Sequence, residues 1–156
     1  MLTLALYRYT VKNPRKYAGD LRNVIARSSW ELAYMGALDR SSFVAQWVSE
    51  PKYLNIRYLN PIDNKVHSYW PDFIVKYIDG NLDIIEIKPL KEALNEKAVS
   101  QYDKLALIKN AAKWRAASAF AKSIGARFRV LTEADLFKKQ TTARPKPSKG
   151  SRGSRK

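Results

Sequence analysis

β-Branched and aromatic residues dominate two runs in the middle of the chain, Asp72-Phe73-Ile74-Val75-Lys76-Tyr77-Ile78 and Leu82-Asp83-Ile84-Ile85-Glu86-Ile87-Lys88, with the turn formers Asp79-Gly80-Asn81 between them. That pattern predicts a β-hairpin. The returning run is apolar on both faces, with Ile85 and Ile87 on one side and Leu82 and Ile84 on the other, which predicts a central strand covered by helices. Upstream, Ser28 is placed to cap a helix through about Leu38, with Trp30, Tyr34, Met35 and Leu38 available for packing. Strands are predicted at about Tyr53 to Leu59 and Lys65 to Trp70, separated by the turn Asn60-Pro61-Ile62-Asp63-Asn64. After Pro89 comes a linker or short helix, then a long helix from about Val99 to Ile124 with Leu105, Ile108, Ala112, Ala119 and Phe120 near helical spacing and Gly125 as its stop. A last strand, Arg127 to Leu131, leads into a short helix capped by Thr132-Glu133-Ala134-Asp135. Residues 7–27 are basic and turn-rich, and read as an irregular arm around the core. The order αβββαβα predicts an α/β fold, a mixed central sheet flanked by helices.

Register decides what the hairpin can do. A three-residue loop, Asp79 to Asn81, pairs Ile78 with Leu82, Ile74 with Glu86 and Asp72 with Lys88, so that the three charged groups share one face. A two-residue loop would pair Asp72 with Ile87 and turn the aspartate to the opposite face. Two carboxylates and a lysine gathered at a hairpin end can hold a divalent cation against a phosphodiester. An acid-x-Lys triplet alone describes many salt-bridge clusters. Pro71-Asp72 opening a strand and an apolar run ending in Glu86 are what favour the chemical reading.

Charge points to a polyanionic partner. The chain of 156 residues, enough for one domain with a real core, carries 29 Lys and Arg against 14 acids, a surplus of +15. Eight of those cations, Lys138, Lys139, Arg144, Lys146, Lys149, Arg152, Arg155 and Lys156, lie after Phe137 with no acid among them. That stretch is rich in Pro, Ser, Gly and Thr, so residues 138–156 read as a disordered basic tail following a domain of residues 1–137. The absence of Cys excludes disulfides and zinc-thiolate sites, and the lone His67, in a predicted strand, excludes multi-histidine metal sites. No apolar run approaches a membrane span and the first six residues do not make a signal peptide, so a soluble, intracellular protein is expected.

Pro71-Asp72 with Glu86-Ile87-Lys88 is the pattern of the PD-(D/E)xK nuclease core, and the chain as a whole resembles one branch of it, the head completion nucleases of tailed phages. The resemblance runs from about Asn13 to Phe137. Its most family-specific part is Asn13-Pro14-Arg15-Lys16-Tyr17-Ala18-Gly19-Asp20 with Arg27-Ser28-Ser29-Trp30-Glu31. Pro71-Asp72-Phe73, Glu86-Ile87-Lys88-Pro89, and Lys113-Trp114 through Gly125 to Phe128-Arg129-Val130-Leu131-Thr132-Glu133 complete it. The resemblance implies a restriction-endonuclease-like fold and a DNA endonuclease acting around head completion and packaging, in the cytoplasm of the infected host or on the virion. Phage head or packaging proteins are then the expected partners besides DNA.

On that reading Asp72 and Glu86 ligate Mg²⁺ or Mn²⁺ with the carbonyl of Ile87, and Lys88 orients the attacking water or contacts the scissile phosphate. Glu31 is the expected additional carboxylate, although Ser28-Ser29-Trp30-Glu31 is also spaced as a capping box. Glu50 is a weaker candidate. Phosphate contacts are expected from Arg8, Lys12, Arg15, Lys16, Arg22 and Arg27, with Tyr7, Tyr9 and Tyr17 interleaved, and from Lys104, Lys109, Lys113 and Arg115. Trp114 reads as a core residue. No helix announces base readout, so little sequence specificity is expected. Two other readings stay open: a transposon-type or junction-resolving endonuclease on the same core, and a non-catalytic DNA-binding virion protein.

Overall fold

The computed structural model describes residues 6–89 and 101–138, with side chains described for residues 104–136 of the second stretch. The elements run β1 (Tyr7–Arg8), a 3-10 turn (Pro14–Lys16), β2 (Ile25–Ala26), α1 (Ser29–Arg40), β3 (Val44–Ser49), β4 (Ile56–Asn60), β5 (Lys65–Tyr69), β6 (Phe73–Tyr77), β7 (Leu82–Ile87), α2 (Gln101–Ser123), β8 (Arg127–Leu131) and α3 (Glu133–Lys138). The central sheet has the order β3-β6-β7-β8, with β7 and β8 parallel across the α2 connection and the other neighbours antiparallel. Its elements in chain order are αβββαβα, the predicted architecture.

The first strand of that series is not the predicted one. β3 was not legible, because a register irregularity between Val44 and Gln46 breaks its alternation and leaves Trp47, Val48 and Ser49 all buried in a row. The two strands read at about Tyr53 to Leu59 and Lys65 to Trp70 instead form a separate two-stranded sheet, β4 with β5. It packs through Ile56, Tyr58 and Tyr69 on Ala117 of α2. His67 bonds to Asp63 at 2.7 Å within this hairpin.

The β6–β7 turn also differs from expectation by one residue. Phe73 pairs with Ile85, Ile74 with Ile84 and Lys76 with Leu82, so Ile74 does not face Glu86 and Asp72 is not opposite Lys88. The Tyr77 amide donates to the Asn81 carbonyl and the Gly80 amide to the Tyr77 carbonyl, each at 2.9 Å, which makes the loop Ile78-Asp79-Gly80. Gly80, at φ 90°, takes the left-handed position that closes such a loop, and this fixes where the turn lies. The loop still has three residues. The parity of the register is unchanged, and with it the sharing of faces.

Both faces of β7 are covered, for different reasons. Ile85 and Ile87 join Phe73, Val75, Trp47, Met35 and Leu38 in the core beneath α1, whereas Ile84 packs with Leu54 and Ala121 beneath α2. The buried face of α2 is Ala117 and Ala121 with Phe120 alongside, while Ile108 and Ala119, expected to pack, are exposed. Small residues let this helix approach the sheet closely. Asp83 points into the α1 side at 1% exposure and is satisfied by Tyr77 Oη at 3.0 Å, Arg127 at 3.0 and 3.1 Å and Arg129 at 3.3 Å.

The basic segment before α1 is tied to the end of that helix. Fully buried Asp39 accepts from Tyr9 Oη and the Lys12 amide, both at 2.7 Å, and from the Asn13 amide at 3.1 Å. Lys16 Nζ donates to the carbonyls of Asp39 (2.9 Å) and Ser41 (2.6 Å), so this cation caps a helix end rather than pointing at solvent. Tyr17 is buried against Trp47, and its hydroxyl accepts from the Ser49 amide at 3.2 Å. The expected linker after Pro89 and the expected basic tail, apart from Lys138 at the end of α3, lie outside the described residues. No helix among the described residues is long and apolar enough to cross a membrane.

Candidate active site

Pro71 and Asp72 enter β6 from β5, and the backbone there is held from two sides. The Asp72 amide donates to the Ile85 carbonyl at 3.0 Å, and the Asp72 carbonyl accepts from the Glu50 amide at 2.8 Å, just beyond β3. The aspartate side chain turns back on β7, where Oδ2 accepts from the Ile87 amide at 2.8 Å. Glu86 occupies the α2 side of β7, buried, with Oε1 accepting from Tyr69 Oη at 2.5 Å. Lys113 of α2 places its ammonium 5.1 Å from the centre of the Tyr69 ring. Asp72 Oδ1 and Glu86 Oε2 make no hydrogen bond among the described residues.

Electrostatics couple this pair to two more acids. Burial pushes the Asp72 carboxyl up to about 8, helped by the charge of Glu86 and then of Glu31 and Glu50, against the opposing Ile87 hydrogen bond. Burial likewise raises Glu86, opposed by the Tyr69 hydrogen bond and the charges of Lys88 and Lys113. Glu31 is raised by burial first, and also by Glu50 and Glu86. Burial lowers Lys113, opposed by the attraction of Glu86. Four carboxyls from α1, the end of β3, the start of β6 and β7 therefore repel one another in one neighbourhood. A cation is the natural complement of such a group. Among the described residues no three acids are already drawn together as a finished ligand set.

Of the residues singled out from sequence, the structure brings Glu31, Asp72, Glu86, Ile87 and Lys88 to the same end of the sheet. Ser28 does cap α1, its Oγ accepting from the Glu31 amide at 3.1 Å. The reciprocal bond goes one residue further back than in a capping box: Glu31 Oε1 accepts from the Arg27 amide at 3.1 Å. Glu50 is present too, but Arg27 grips both of its oxygens, Nε to Oε2 at 2.5 Å and Nη2 to Oε1 at 3.2 Å. A cavity of about 320 Å³ opens beside Asp72, lined by Arg27, Glu50, Lys52, Trp70 and Pro71. A more enclosed cavity of about 270 Å³ between α1, β8 and α3 borders neither Asp72 nor Glu86.

Sequence reasoning missed Tyr69, Lys52 and Trp70. Tyr69 was read only as part of a strand, since its face shares Lys65 and His67 and nothing local says that it meets Glu86. Lys52 and Trp70 had no signal at all, since they become neighbours only when Trp70 Nε1 donates to the Lys52 carbonyl at 3.2 Å.

Comparison with known proteins places the chain among nucleases. Residues 41–133, which hold β3 through β8 and every acid of the site except Glu31, match the family described as TnsA-like endonuclease N terminal. The chain is also 32% identical over 141 residues to the head completion nuclease of Enterobacteria phage T4, an alignment covering 83% of this chain and 91% of that relative.

Proposed function

The chain belongs to the head completion nucleases, with a TnsA-like endonuclease core, and from that premise we propose that it is an endonuclease that hydrolyses the phosphodiester bonds of DNA with a divalent cation held by Asp72 and Glu86. The observation that carries this is the buried, mutually repelling Asp72–Glu86 pair, each acid with one oxygen engaged and one unengaged among the described residues. Oxygen donors of this kind suit Mg²⁺ or Mn²⁺, with the Ile87 carbonyl as a third protein ligand and Glu31 as an additional carboxylate. When bound, the cation acts as a Lewis acid that makes water a nucleophile near neutral pH and offsets charge on the phosphate.

The chain's own groups do the rest. The Ile87 amide fixes Asp72 in one orientation, and Tyr69 fixes Glu86 and favours its ionised form. Lys88, whose charge bears on Glu86, supplies a compact ammonium to orient the attacking water or hold the scissile phosphate. The surplus of positive charge favours affinity that rests on phosphates, with low sequence specificity. The setting proposed is completion of a phage head, in the infected cell or on the virion, with head or packaging proteins as partners. Residues 138–156 are proposed as a basic tail that adds general DNA affinity.

Incubating the protein with supercoiled, linear and branched DNA in Mg²⁺, Mn²⁺ or EDTA tests this reading. Cleavage is expected with either cation and none in EDTA. Asp72→Ala, Glu86→Ala and Lys88→Ala should each slow it by on the order of 10²-fold or more, with DNA binding largely kept. Full activity in Glu86→Ala would sink the assignment. Cleavage confined to branched DNA, or dependent on an added protein, would favour a junction-resolving or transposon-type enzyme instead, and binding without turnover a virion structural role.

A further inference from the structure

The Arg27–Glu50 pair forms a shared wall between two cavities. On one side lies the cavity of about 320 Å³ that contains Asp72 and Trp70; on the other lies one of about 410 Å³ bordered by Tyr17, Gly19, Asp20 and Tyr53. Lys52 lines both as well. A phosphate lying in either cavity would meet the Arg27 guanidinium.

The contact itself has the geometry of anion recognition. A guanidinium presents a planar fork that accepts a carboxylate or a phosphate in the same bidentate way, and here it holds Glu50 through Nε and Nη2. The Arg27 side chain is 54% exposed, so the fork is within reach of a ligand from solvent. Glu50 itself has a φ of 49°, a backbone conformation that residues with a Cβ rarely adopt. Its amide is bonded to the Asp72 carbonyl, so the strained residue is joined directly to the site. Both Glu50 oxygens are engaged by Arg27 in this arrangement.

We propose that Arg27 binds a backbone phosphate of the substrate beside the Asp72 cavity and that Glu50 is its stand-in, occupying the guanidinium fork in the DNA-free protein and displaced when the phosphate arrives. The proposal rests on the nuclease reading above and adds to it a phosphate-binding residue and an internal competitor for substrate. Arg27 gains no new bond on binding; it exchanges one oxyanion for another. Non-specific DNA is held less tightly than the positive charge alone would give.

Binding in EDTA tests this apart from cleavage. A labelled duplex oligonucleotide is titrated against the parent, Arg27→Ala, Glu50→Ala and the double variant over a range of salt concentrations, with thermal melts confirming that each is folded. Arg27→Ala should weaken binding about 3- to 10-fold and flatten the log-log salt slope by about 0.9, one phosphate contact. Glu50→Ala should tighten binding by a similar factor when Arg27 is present and change it less than about twofold when Arg27 is absent. Arg27→Lys, which keeps the charge without the fork, should recover the slope but not the affinity, and serves if Arg27→Ala does not fold. Equal tightening by Glu50→Ala in both backgrounds would reduce its role to a general field effect and overturn the exchange. Parent affinity and slope in Arg27→Ala would remove Arg27 from the binding surface. Neither result bears on whether Asp72 and Glu86 support cleavage, which the metal-dependence experiment decides on its own.

Discussion

The Ile87 amide donates to Asp72 Oδ2 at 2.8 Å, and yet the Asp72 carboxyl is pushed up to about 8. One hydrogen bond to the ionised form does not outweigh burial together with the charges of Glu86, Glu31 and Glu50. In the metal-free protein the native state therefore keeps a proton on Asp72 that the unfolded chain releases near pH 4.

The sign of the pH dependence follows. Native protein binds more protons than unfolded protein between about pH 4 and about pH 8, so stability falls as pH rises through that window and levels off above it. Glu86 and Glu31, also raised, act in the same direction. Asp72→Asn keeps an acceptor for the Ile87 amide but has no proton to lose. Melting temperatures in EDTA should show the parent falling toward the Asn variant's value or below it as pH is raised, with a visibly flatter curve for the variant. Parallel curves would show that Asp72 ionises normally.

Tyr69→Phe separates orientation from packing. The hydroxyl lost is the one bonded to Glu86 Oε1, while the ring that meets Phe128 and Lys113 remains. We expect a loss of about 1 to 2 kcal/mol in stability. Since the Tyr69 hydrogen bond opposes the burial that raises Glu86, the acid limb of the pH–cleavage profile should also move to higher pH, and half-maximal activity should need more Mg²⁺. A change in melting temperature with an unmoved profile would leave Tyr69 a purely structural role.

Ser28→Ala and Glu31→Gln divide the helix cap from the charge. Removing the Ser28 hydroxyl leaves the Glu31 amide without its partner and should cost about 1 kcal/mol while cleavage persists below the transition. Glutamine at position 31 can still accept from the Arg27 amide, so Glu31→Gln should melt near the parent temperature and cleave far more slowly. If it cleaves like the parent, Glu31 belongs to the cap alone.

Removal of residues 138–156 takes away eight cations and no acid. The log-log salt dependence of DNA binding should flatten by about 0.9 for each phosphate the tail neutralises, with cleavage retained at low salt. An unchanged slope would point to solubility or partner docking as the tail's role.

Signals that act over a few residues were legible in the chain. The Ser28 cap, the hairpin around Gly80, the doubly apolar β7 and the stop at Gly125 each follow from neighbours within one turn of helix or one strand, where propensity and periodicity operate. The set Asp72, Glu86 and Lys88 could be gathered on paper because parity alone decides which face a strand residue takes, and parity survived the one-residue shift of the loop. Contacts between distant segments had no such signature. β3 lost its alternation to an irregularity. The β4–β5 hairpin looked like part of the main sheet because strand pattern carries no record of pairing partner. Tyr69 on Glu86, Arg27 on Glu50 and the arm on Asp39 join residues 17, 23 and 30 positions apart. Only the packed fold brings those groups within hydrogen-bonding distance, and only burial in that fold turns Glu31, Asp72 and Glu86 into a mutually repelling site.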